Sequence, residues 1–512
     1  MQNTIPRIMP PEAIAIIGAG PAGLVAARWL IEHGFEPVLF EASARLGGQW
    51  NGENEMSATW PAMRTNTSRV MTAFSDLDHP DGTATYPRRD DMRTYLESYA
   101  HNFDIHRRIR FASRVELLDR VSENNWLVRS TTRGSEIAEI YGRVVIATGR
   151  NSKPRLPAIP GMETFTGELG LQHTAGYDGV EAYRGKSVLV GGCSISALEI
   201  ASELALGGAA DVIASYRRQR YVLPKLIAGV PTEHVLFTRA SAIAGQMLPP
   251  DLLAAGMKAK LLSIAGNPAQ FGALAPDENI FAAGITQSQD FLPAVASGRI
   301  AVRPWIERID GRVVHFADGT QATPDAILLG TGYDLSLPWL SEDIARILDN
   351  DGQNIDLYDH TFHPDLPGLA FAGLYDLVGP YFTVLELQAR WIAYSQAGIL
   401  PMPSRQDMVE AIAQNRMRRG GPSSIPMSDM ALLFARNAQV EPSLKHWPQL
   451  ERALLAGPLS PASFRLEGLD ALKDAARKTL AAAAAFGAIT GPDFTDEEAA
   501  MRRMIMEGAQ AA

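Results

Sequence analysis

Apolar residues form short unbroken runs that end at glycine and are followed by a helical spacing of further apolar residues. The first run is residues 13–17, Ala-Ile-Ala-Ile-Ile, and residues 22–33 after it carry apolar residues three apart. An unbroken apolar run is typical of a buried parallel strand, and the wider spacing is typical of an amphipathic helix. Residues 37–41 then predict a second strand that ends in an acid. The pattern predicts a strand–turn–helix–strand unit.

The same order of elements occurs a second time. Residues 187–190 lead into Gly191-Gly192, residues 196–206 have helical spacing, and residues 211–216 predict another strand. The fold class predicted by this repetition is α/β, with two Rossmann-like dinucleotide-binding domains.

Two further apolar runs, 143–147 and 326–329, end at glycine where the chain would leave and re-enter the first unit. We therefore expect the second domain to be inserted into the first. Residues 226–300 show weak patterning and receive no assignment, whereas Ala-rich stretches at 467–486 and 495–510 predict a helical C-terminal appendage. The predicted limits are 1–155 with 330–450 for the first domain, 156–329 for the second, and 451–512 for the C-terminal extension.

Composition narrows the classes of function. The chain has 512 residues, 46% of them hydrophobic, and a formal net charge of −10, which argues against a nucleic-acid partner. The single cysteine, Cys193, excludes an internal disulfide and a redox dithiol. No His, Cys or Asp cluster has metal-ligand spacing. The apolar stretch 480–489 is shorter than the ~20 residues that span a bilayer, so we expect a soluble, cytoplasmic protein without a membrane partner.

The first glycine motif is Gly18-Ala19-Gly20-Pro21-Ala22-Gly23. Gly18 permits a tight turn, Gly20 lets a pyrophosphate approach the backbone, and Gly23 lets helix and strand pack closely. The pyrophosphate then lies at a helix N-terminus, whose N–H groups and dipole favour an anion. Glu41 ends the next strand, where a carboxylate accepts hydrogen bonds from ribose hydroxyls and repels a 2′-phosphate. This site suits FAD or NAD rather than NADP.

A second glycine pair, Gly47-Gly48, follows with Gln49 and Trp50. Paired glycines allow the backbone to run close to a bulky cofactor. Ordinary core packing is the alternative for Trp50. The predicted cofactor contacts here are Gly48, Gln49 and Trp50.

The second glycine motif carries serine in place of its middle glycine and alanine in place of its last. Arginines follow the next strand where the first unit has Glu41, and arginine there can clamp a 2′-phosphate. A solvated basic loop is the alternative. The predicted NADPH contacts are Gly192, Ser194, Ser196, Arg217 and Arg218.

Two nucleotide sites imply hydride transfer from a nicotinamide to a flavin. A disulfide reductase would need two cysteines, so reaction of the reduced flavin with dioxygen is the leading alternative.

Further motifs stand in a fixed order along residues 12–405. They are Thr65-Asn66-Thr67-Ser68-Arg69-Val70-Met71 with Phe74-Ser75-Asp76, Phe165-Thr166-Gly167 with His173 and Tyr177, Gly192 to Ile200, Gly330-Thr331-Gly332-Tyr333, and Gln388-Ala389-Arg390-Trp391. With these motifs the chain resembles the class B flavoprotein monooxygenases, on the side of the flavin-containing monooxygenases. Two extra residues between Gly167 and His173 depart from the family signature.

The resemblance implies that NADPH reduces FAD, that dioxygen adds as a flavin 4a-hydroperoxide, and that a soft nitrogen or sulfur centre of a small molecule is oxygenated. It implies a catalytic role for Asn66, whose neutral amide would hydrogen-bond near the peroxide or the nicotinamide. A loop-capping asparagine is the alternative. The other cofactor contacts implied by the resemblance are Thr65, Val115, Thr331, Gly332 and Gln388.

Three other functions stay open. The first is Baeyer–Villiger oxidation of ketones, although the related family usually has Trp where this chain has Tyr177. The second is a flavin–nicotinamide reductase that passes electrons to a protein partner, and the third is a non-enzymatic nucleotide-binding regulator. The expected partners are a small-molecule substrate and dioxygen, and a homodimer is one alternative for the oligomeric state.

Overall fold

The computed structural model describes residues 6–54, 57–419 and 424–511, and contains two five-stranded parallel sheets. At the centre of the first sheet lies the strand that precedes the first glycine motif, which we call the fingerprint strand, and all strands of this sheet run parallel. Its strands, in spatial order, are Leu369–Phe371, Val144–Ile146, Ala13–Ile17, Glu36–Phe40 and Ile109–Arg110.

The second sheet is formed entirely by chain that lies between two strands of the first sheet. The segments that cross between the sheets, Lys153–Pro154 and Tyr333–Asp334, pair antiparallel with each other. The predicted α/β class with an inserted second dinucleotide-binding unit is confirmed. The strands of the second sheet, in spatial order, are Gly170–His173, Ala326–Leu329, Ser187–Gly191, Asp211–Tyr216 and Ile300–Pro304.

Smaller sheets border these two. A four-stranded sheet packs beside the first sheet through Val115, Trp126 and Tyr141, and an antiparallel three-stranded sheet packs below the second. Their strands are Arg7–Ile8, Ser135–Tyr141, Asn125–Thr132 and Ser113–Ser122 for the former, and Ile306–Asp310, Val313–Phe316 and Gln321–Ala322 for the latter.

Helices cover both parallel sheets. The helix Phe382–Gln396 is buried along almost its whole length and packs on the fingerprint helix Pro21–Glu32. The other helices are Arg89–Asn102, Ile195–Gly207, Thr232–Leu236, Arg239–Met247, Pro250–Ala265, Ile280–Ala283, Phe291–Ala296, Glu342–Leu348, Arg405–Met417, Met427–Asn437, Glu451–Leu455, Ala475–Ala484 and Asp496–Ala511.

One segment, residues 226–247, leaves the second sheet and packs on the first domain; we call it the excursion. Its helix Arg239–Met247 contacts the helices Met427–Asn437 and Asp496–Ala511. The buried Arg239 guanidinium pairs with Glu441 at 2.7 Å. The excursion thus connects the second sheet to the first domain and to the C-terminal extension.

The C-terminal extension is less helical than its spacing predicts. Residues 467–474 form no helix, so the predicted helix over 467–486 is reduced to Ala475–Ala484. Gly468 has a φ of +92°, and Arg465 Nε donates to the carbonyl of Asp470 at 2.7 Å, which holds this stretch in a turn. Arg465 also donates to Asp76 Oδ1 at 2.6 Å, which fastens the extension to the first domain.

Candidate functional site

The first glycine loop forms a close cradle at the end of the strand Ala13–Ile17. Gly18 has a φ of +107° and donates its N–H to Phe40 O at 2.8 Å. A Cβ added at Gly23 would lie 2.0 Å from Gly18 O, so the helix packs against the loop in a way that only glycine permits. Gly20 precedes the helix Pro21–Glu32, whose N-terminus has no side-chain cap. The free end of the helix can therefore receive an anion.

Glu41 lies beside this loop and is buried. Its Oε2 accepts the N–H of Ala19 at 2.9 Å, and its Oε1 accepts the N–H and hydroxyl of Ser43, both at 2.9 Å. A carboxylate offers about four acceptor positions, so capacity for ribose hydroxyls is left after these bonds. The chain itself fixes the orientation of the acid.

The second glycine pair lies against the first loop. A Cβ on Gly48 would lie 3.0 Å from Gly20 Cα, which places the two backbones in contact. Gln49 is exposed, and its carbonyl accepts the hydroxyls of Ser57 and Thr59. Trp50 is buried in the main core. The geometry thus favours core packing for Trp50, with Gly48 nearest the cradle.

An unsatisfied hydroxyl supports a ligand at this cradle. Thr148 follows the neighbouring strand, and its buried Oγ1 has no hydrogen-bonding partner within the described chain. A Cβ on Gly18 would lie 3.3 Å from Thr148 Cα, so this hydroxyl belongs to the same loop cluster. Buried hydroxyls are normally paired, and a bound dinucleotide would supply the missing partner. The residues present therefore fit FAD.

The second loop repeats the geometry of the first. Gly192 has a φ of +126° and donates its N–H to Ser215 O at 2.8 Å. Ser194 precedes the helix Ile195–Gly207 without capping it, and its hydroxyl donates to Gly330 O at 3.3 Å. Ser196 is exposed in the first turn of that helix. The second loop therefore presents a free helix end together with two hydroxyls.

Arg217 and Arg218 follow the strand Asp211–Tyr216, and both are exposed. Neither makes an ion pair within the described residues. The Arg217 guanidinium lies 5.2 Å from the centroid of the Trp305 ring, and Trp305 also borders Gly191 at the loop. The arginine is thus held beside the loop with its charge available to a ligand.

Asn66 lies half-buried in a loop that is fastened by its own hydroxyls. Thr65 donates its N–H to Pro87 O at 2.9 Å and its hydroxyl to Thr67 O at 2.7 Å. Within the described residues, the Asn66 amide has no hydrogen-bonding partner, whereas a loop-capping asparagine would have one. The amide is therefore free to meet a ligand.

The remaining predicted contacts lie around the two loops. Val115 is buried in the strand Ser113–Ser122, which starts with Ser113 donating to Glu41 O at 2.8 Å. Thr331 and Gly332 pair with Arg155, since the Thr331 hydroxyl donates to Arg155 O at 2.6 Å and Gly332 O accepts the Arg155 N–H at 3.0 Å.

Gln388 is the predicted contact whose side chain is most fully engaged by the chain. Its Oε1 accepts the N–H of Gly373 at 2.9 Å, and its Nε2 donates to the Thr361 hydroxyl at 2.8 Å and to Phe371 O at 3.0 Å. Gly373 itself abuts Ala22 of the fingerprint helix. Gln388 therefore fixes backbone beside the first cradle, and its direct contact with a cofactor stays a prediction.

The signature residues His173 and Tyr177 have structural partners. His173 accepts the N–H of Ala175 at 3.0 Å, and burial lowers the pKa of its imidazole. The Tyr177 hydroxyl donates to Glu203 at 3.1 Å, and the Trp60 indole donates to the same carboxylate at 2.6 Å. Trp60 thereby inserts from the first domain into the core of the second.

Sequence reasoning missed a buried polar cluster beside Asn66. Glu233 and His234 of the excursion both hydrogen-bond to Ser68. No local pattern could have signalled these bonds, because their partners lie 165 and 166 residues apart.

The described residues contain neither a candidate membrane span nor a candidate metal site. Every helix there falls short of the length or apolar character that crossing a membrane requires. No group of three or more His, Cys, Asp or Glu side chains in the same part of the chain is placed to hold a metal ion.

Comparison with known proteins identifies the family. The model of the FMO-like, flavin-binding monooxygenase-like family matches residues 11–485. Dimethylaniline monooxygenase 2 of Rattus norvegicus, described as N-oxide-forming, is 29% identical over 483 residues, covering 89% of each chain.

Solved structures share the fold. S-allyl-L-cysteine S-oxygenase from Allium sativum aligns with a TM-score of 0.62 at 21% identity, covering 97% of this chain and 98% of that one. Cyclohexanone monooxygenase from Rhodococcus sp. Phi1 bound to NADP+ aligns with a TM-score of 0.62 at 18% identity, covering 85% and 98%.

These findings confirm the predicted enzyme class, and at the level of the family they confirm FAD and NADPH as cofactors. The match covers both glycine loops, the Asn66 loop and the excursion. The chain therefore belongs to the flavin-binding monooxygenase-like family.

Proposed function

We propose that this enzyme oxygenates a soft nitrogen or sulfur centre of a small molecule, with FAD at the Glu41 loop and NADPH at the Arg217 loop. The observation that carries the proposal is a pair of equivalent loops with opposite charges at the end of the second strand. Glu41 is buried and orients towards the first loop, whereas Arg217 is exposed and unpaired within the described residues.

FAD would lie with its pyrophosphate at the N-terminus of the helix Pro21–Glu32. Glu41 would accept ribose hydroxyls, and the Thr148 hydroxyl would gain the partner it lacks. The close contact of Gly20 and Gly48 leaves backbone rather than side chains facing the cofactor. The chemistry that FAD supplies when bound is hydride acceptance from NADPH and activation of dioxygen.

NADPH would lie with its pyrophosphate on the loop from Gly192 to Ser196. Arg217 and Arg218 would hold the 2′-phosphate, because a guanidinium matches phosphate geometry in a bidentate way. We propose domain limits of 1–155 with 330–450 for FAD, 156–329 for NADPH, and 451–512 for the extension, with the excursion packed on the FAD domain.

Asn66 would contact the reacting groups. Its free amide can donate a hydrogen bond without delivering a proton. Oxygen transfer consumes one NADPH, one dioxygen and one proton, and it yields the oxygenated substrate, NADP+ and water. A stray proton donor at the site would divert this chemistry to hydrogen peroxide, which is why a neutral amide suits the position.

The substrate class of the relatives agrees with this proposal. The relative from Rattus norvegicus is described as N-oxide-forming and the garlic enzyme as an S-oxygenase. A small-molecule substrate is supported at the level of the family, while the homodimer and the cytoplasmic location stay predictions.

The test supplies a thioether, a tertiary amine and a cyclic ketone side by side, with NADPH and oxygen, and quantifies each oxygenated product. We expect a sulfoxide or an N-oxide in proportion to the NADPH consumed. Ester formation from the ketone alone would replace the proposal with Baeyer–Villiger oxidation. Consumption of NADPH with no oxygenated product, but with rapid reduction of an added electron acceptor, would replace it with a reductase.

A further inference from the structure

The excursion contributes a buried polar cluster to the loop that carries Asn66. Ser68, Glu233 and His234 are only 0%, 1% and 2% exposed. The Ser68 N–H donates to Glu233 Oε1, and the Ser68 hydroxyl lies 3.0 Å from His234 Nε2. The backbone N–H and the hydroxyl of Ser68 are thus both bound by neighbouring residues of one short helix, Thr232–Leu236.

The cluster is costly in free energy. Glu233 Oε2 and His234 Nδ1 are buried and have no partner within the described residues. Burial raises the pKa of the Glu233 carboxyl and lowers the pKa of His234 to about 4. Apolar side chains could fill the same space without these unsatisfied atoms, so packing alone does not account for the cluster.

Ser68 anchors the backbone close to Asn66. It is two residues after Asn66, and the other hydrogen bonds of residues 65–69 join them to one another, to residues 71–72 or to residues 85–87. The Asn66 side chain has no partner of its own within the described chain. Its amide is therefore placed only by the backbone on either side, and Ser68 is where that backbone meets the excursion.

The C-terminal extension closes the cluster from another side. The Phe486 ring packs edge-on against His234 with centroids 5.3 Å apart, and the Arg69 guanidinium lies 5.0 Å from the same ring. Phe486 has a φ of +59°, which lies in a backbone region that residues other than glycine rarely adopt. A strained residue is retained where its surroundings determine its position.

We infer that Glu233 and His234 are positioning residues that hold Asn66 in place through Ser68. The inference rests on the proposed function, in which the Asn66 amide contacts the reacting groups. A loop released from Glu233 would let the amide move, because an isolated loop residue has several accessible backbone conformations. Electrons from NADPH would still reach dioxygen, but more of them would leave as hydrogen peroxide, which requires one NADPH, one proton and one dioxygen.

The test measures the fraction of NADPH that ends as hydrogen peroxide, together with the anaerobic rate of flavin bleaching by NADPH. We expect Glu233→Ala to raise the peroxide fraction about fivefold, as for loss of one ordinary hydrogen bond, with little change in the bleaching rate. Glu233→Gln keeps an acceptor oxygen for the Ser68 N–H and should restore most of the coupling.

A milder variant keeps the test decisive if Glu233→Ala does not fold. Ser68→Ala removes only the hydroxyl that meets His234, and we expect a smaller rise in the peroxide fraction. Asp356→Asn is the matched control, because Asp356 is a buried carboxylate paired with Arg419 at 2.7 Å in another part of the first domain. The control should lower thermal stability and leave the peroxide fraction unchanged.

Two results would overturn the inference. The first is an unchanged peroxide fraction in folded Glu233→Ala or Ser68→Ala enzyme whose wild type couples NADPH to product. The second is an equal rise in the Asp356→Asn control. If the wild type itself forms no oxygenated product, the proposed function fails and the inference fails with it, so the two failures are distinguishable.

Discussion

The two glycine loops share the same order of strand, turn and helix but differ in where a methyl group fits. In the first loop the helix carries Gly23, and the neighbouring strand Val144–Ile146 is followed by Ala147. In the second loop the helix carries Ala197, and the neighbouring strand is followed by Gly330, where an added Cβ would lie 2.8 Å from the Ala197 Cβ. The first loop therefore has no room for a methyl group at Gly23, because Gly18 O occupies that space, whereas the second loop accommodates Ala197 and has little room for a methyl group at Gly330.

The charges at the ends of the second strands differ more than the loops do. Glu41 is buried and tied to the Ala19 N–H, whereas Arg217 is exposed beside Trp305. In the proposed function, backbone geometry would hold a pyrophosphate in both loops, and the residue after the strand would select the dinucleotide. Different parts of each loop would thus hold a dinucleotide and select it.

A methyl group added at Gly23 of the first loop should have the largest effect, which is a loss of bound flavin. Gly23→Ala would place a Cβ 2.0 Å from Gly18 O, and overpacking of this kind costs about 1–3 kcal/mol or more. We expect the purified variant to contain less than about a tenth of the wild-type flavin, measured by absorbance per chain.

The control is Gly256→Ala, in the interior of the helix Pro250–Ala265 with open space around it. This change should keep the flavin and leave stability equal or higher, because alanine favours helix more than glycine does. Full flavin content in Gly23→Ala would contradict the close packing described for the first loop.

Removing the charge at the second loop should have the next largest effect. Arg217→Ala deletes a charged hydrogen-bond donor to the 2′-phosphate, which costs about 1.5–3 kcal/mol, or roughly 10- to 100-fold in affinity. We expect the affinity for NADPH to fall by this factor and the affinity for NADH to be nearly unchanged. Both are measured by anaerobic flavin bleaching at varied nucleotide concentrations.

Arg308→Ala, at another exposed arginine on a different sheet, should change neither nucleotide. An equal loss for NADPH and NADH in Arg217→Ala would remove the assignment of the 2′-phosphate to this arginine.

A methyl group added at Gly330 of the second loop should have a smaller effect on the affinity for NADPH. Gly330→Ala would bring its Cβ within 3.2 Å of the Ala197 backbone nitrogen as well as against its Cβ. We expect about a fivefold loss of NADPH affinity, which corresponds to roughly 1 kcal/mol of strain. Adding Ala197→Gly to the same chain should recover part of that loss. If the double variant binds NADPH as weakly as Gly330→Ala alone, the side chains at the two positions do not compete for the same space.

The smallest effect is expected at Cys193, which stands where the first loop has Ala19. Burial raises the pKa of its thiol to about 11 from an ordinary 9.0, so the reactive thiolate is scarce at neutral pH. Alkylation of the native protein should be slow at pH 8 and should accelerate as the pH rises towards 11. Cys193→Ala should change NADPH affinity by less than about twofold, and rapid alkylation of native protein at pH 8 would contradict the burial of this residue.

The sequence predicted best where a local signal decides the structure. The strands Ala13–Ile17, Asp211–Tyr216 and Ala326–Leu329 match their predicted limits, because the first and last are apolar runs and the second has an apolar centre. The glycines of both loops could also be predicted from local sequence, because positive φ values and close contacts require glycine there.

The excursion could not be predicted, because distant partners stabilise it. Arg239 looks like a surface residue in sequence, yet it is buried, and its partner Glu441 lies 202 residues away. Residues 467–474 have helical spacing, but Gly468 and the Arg465 contacts hold them in a turn. The Ser68 cluster likewise depends on residues that come together only in the folded chain.

The proposed function requires that one chain hold FAD and NADPH at separate loops and pass electrons between them. Anaerobic titration of the flavin-loaded enzyme with NADPH, followed by flavin absorbance and by filtration of released flavin, tests this claim most directly. We expect one NADPH to bleach one flavin, and we expect the flavin to stay bound to the protein. Displacement of the flavin by NADPH, or nucleotide binding without bleaching, would contradict it.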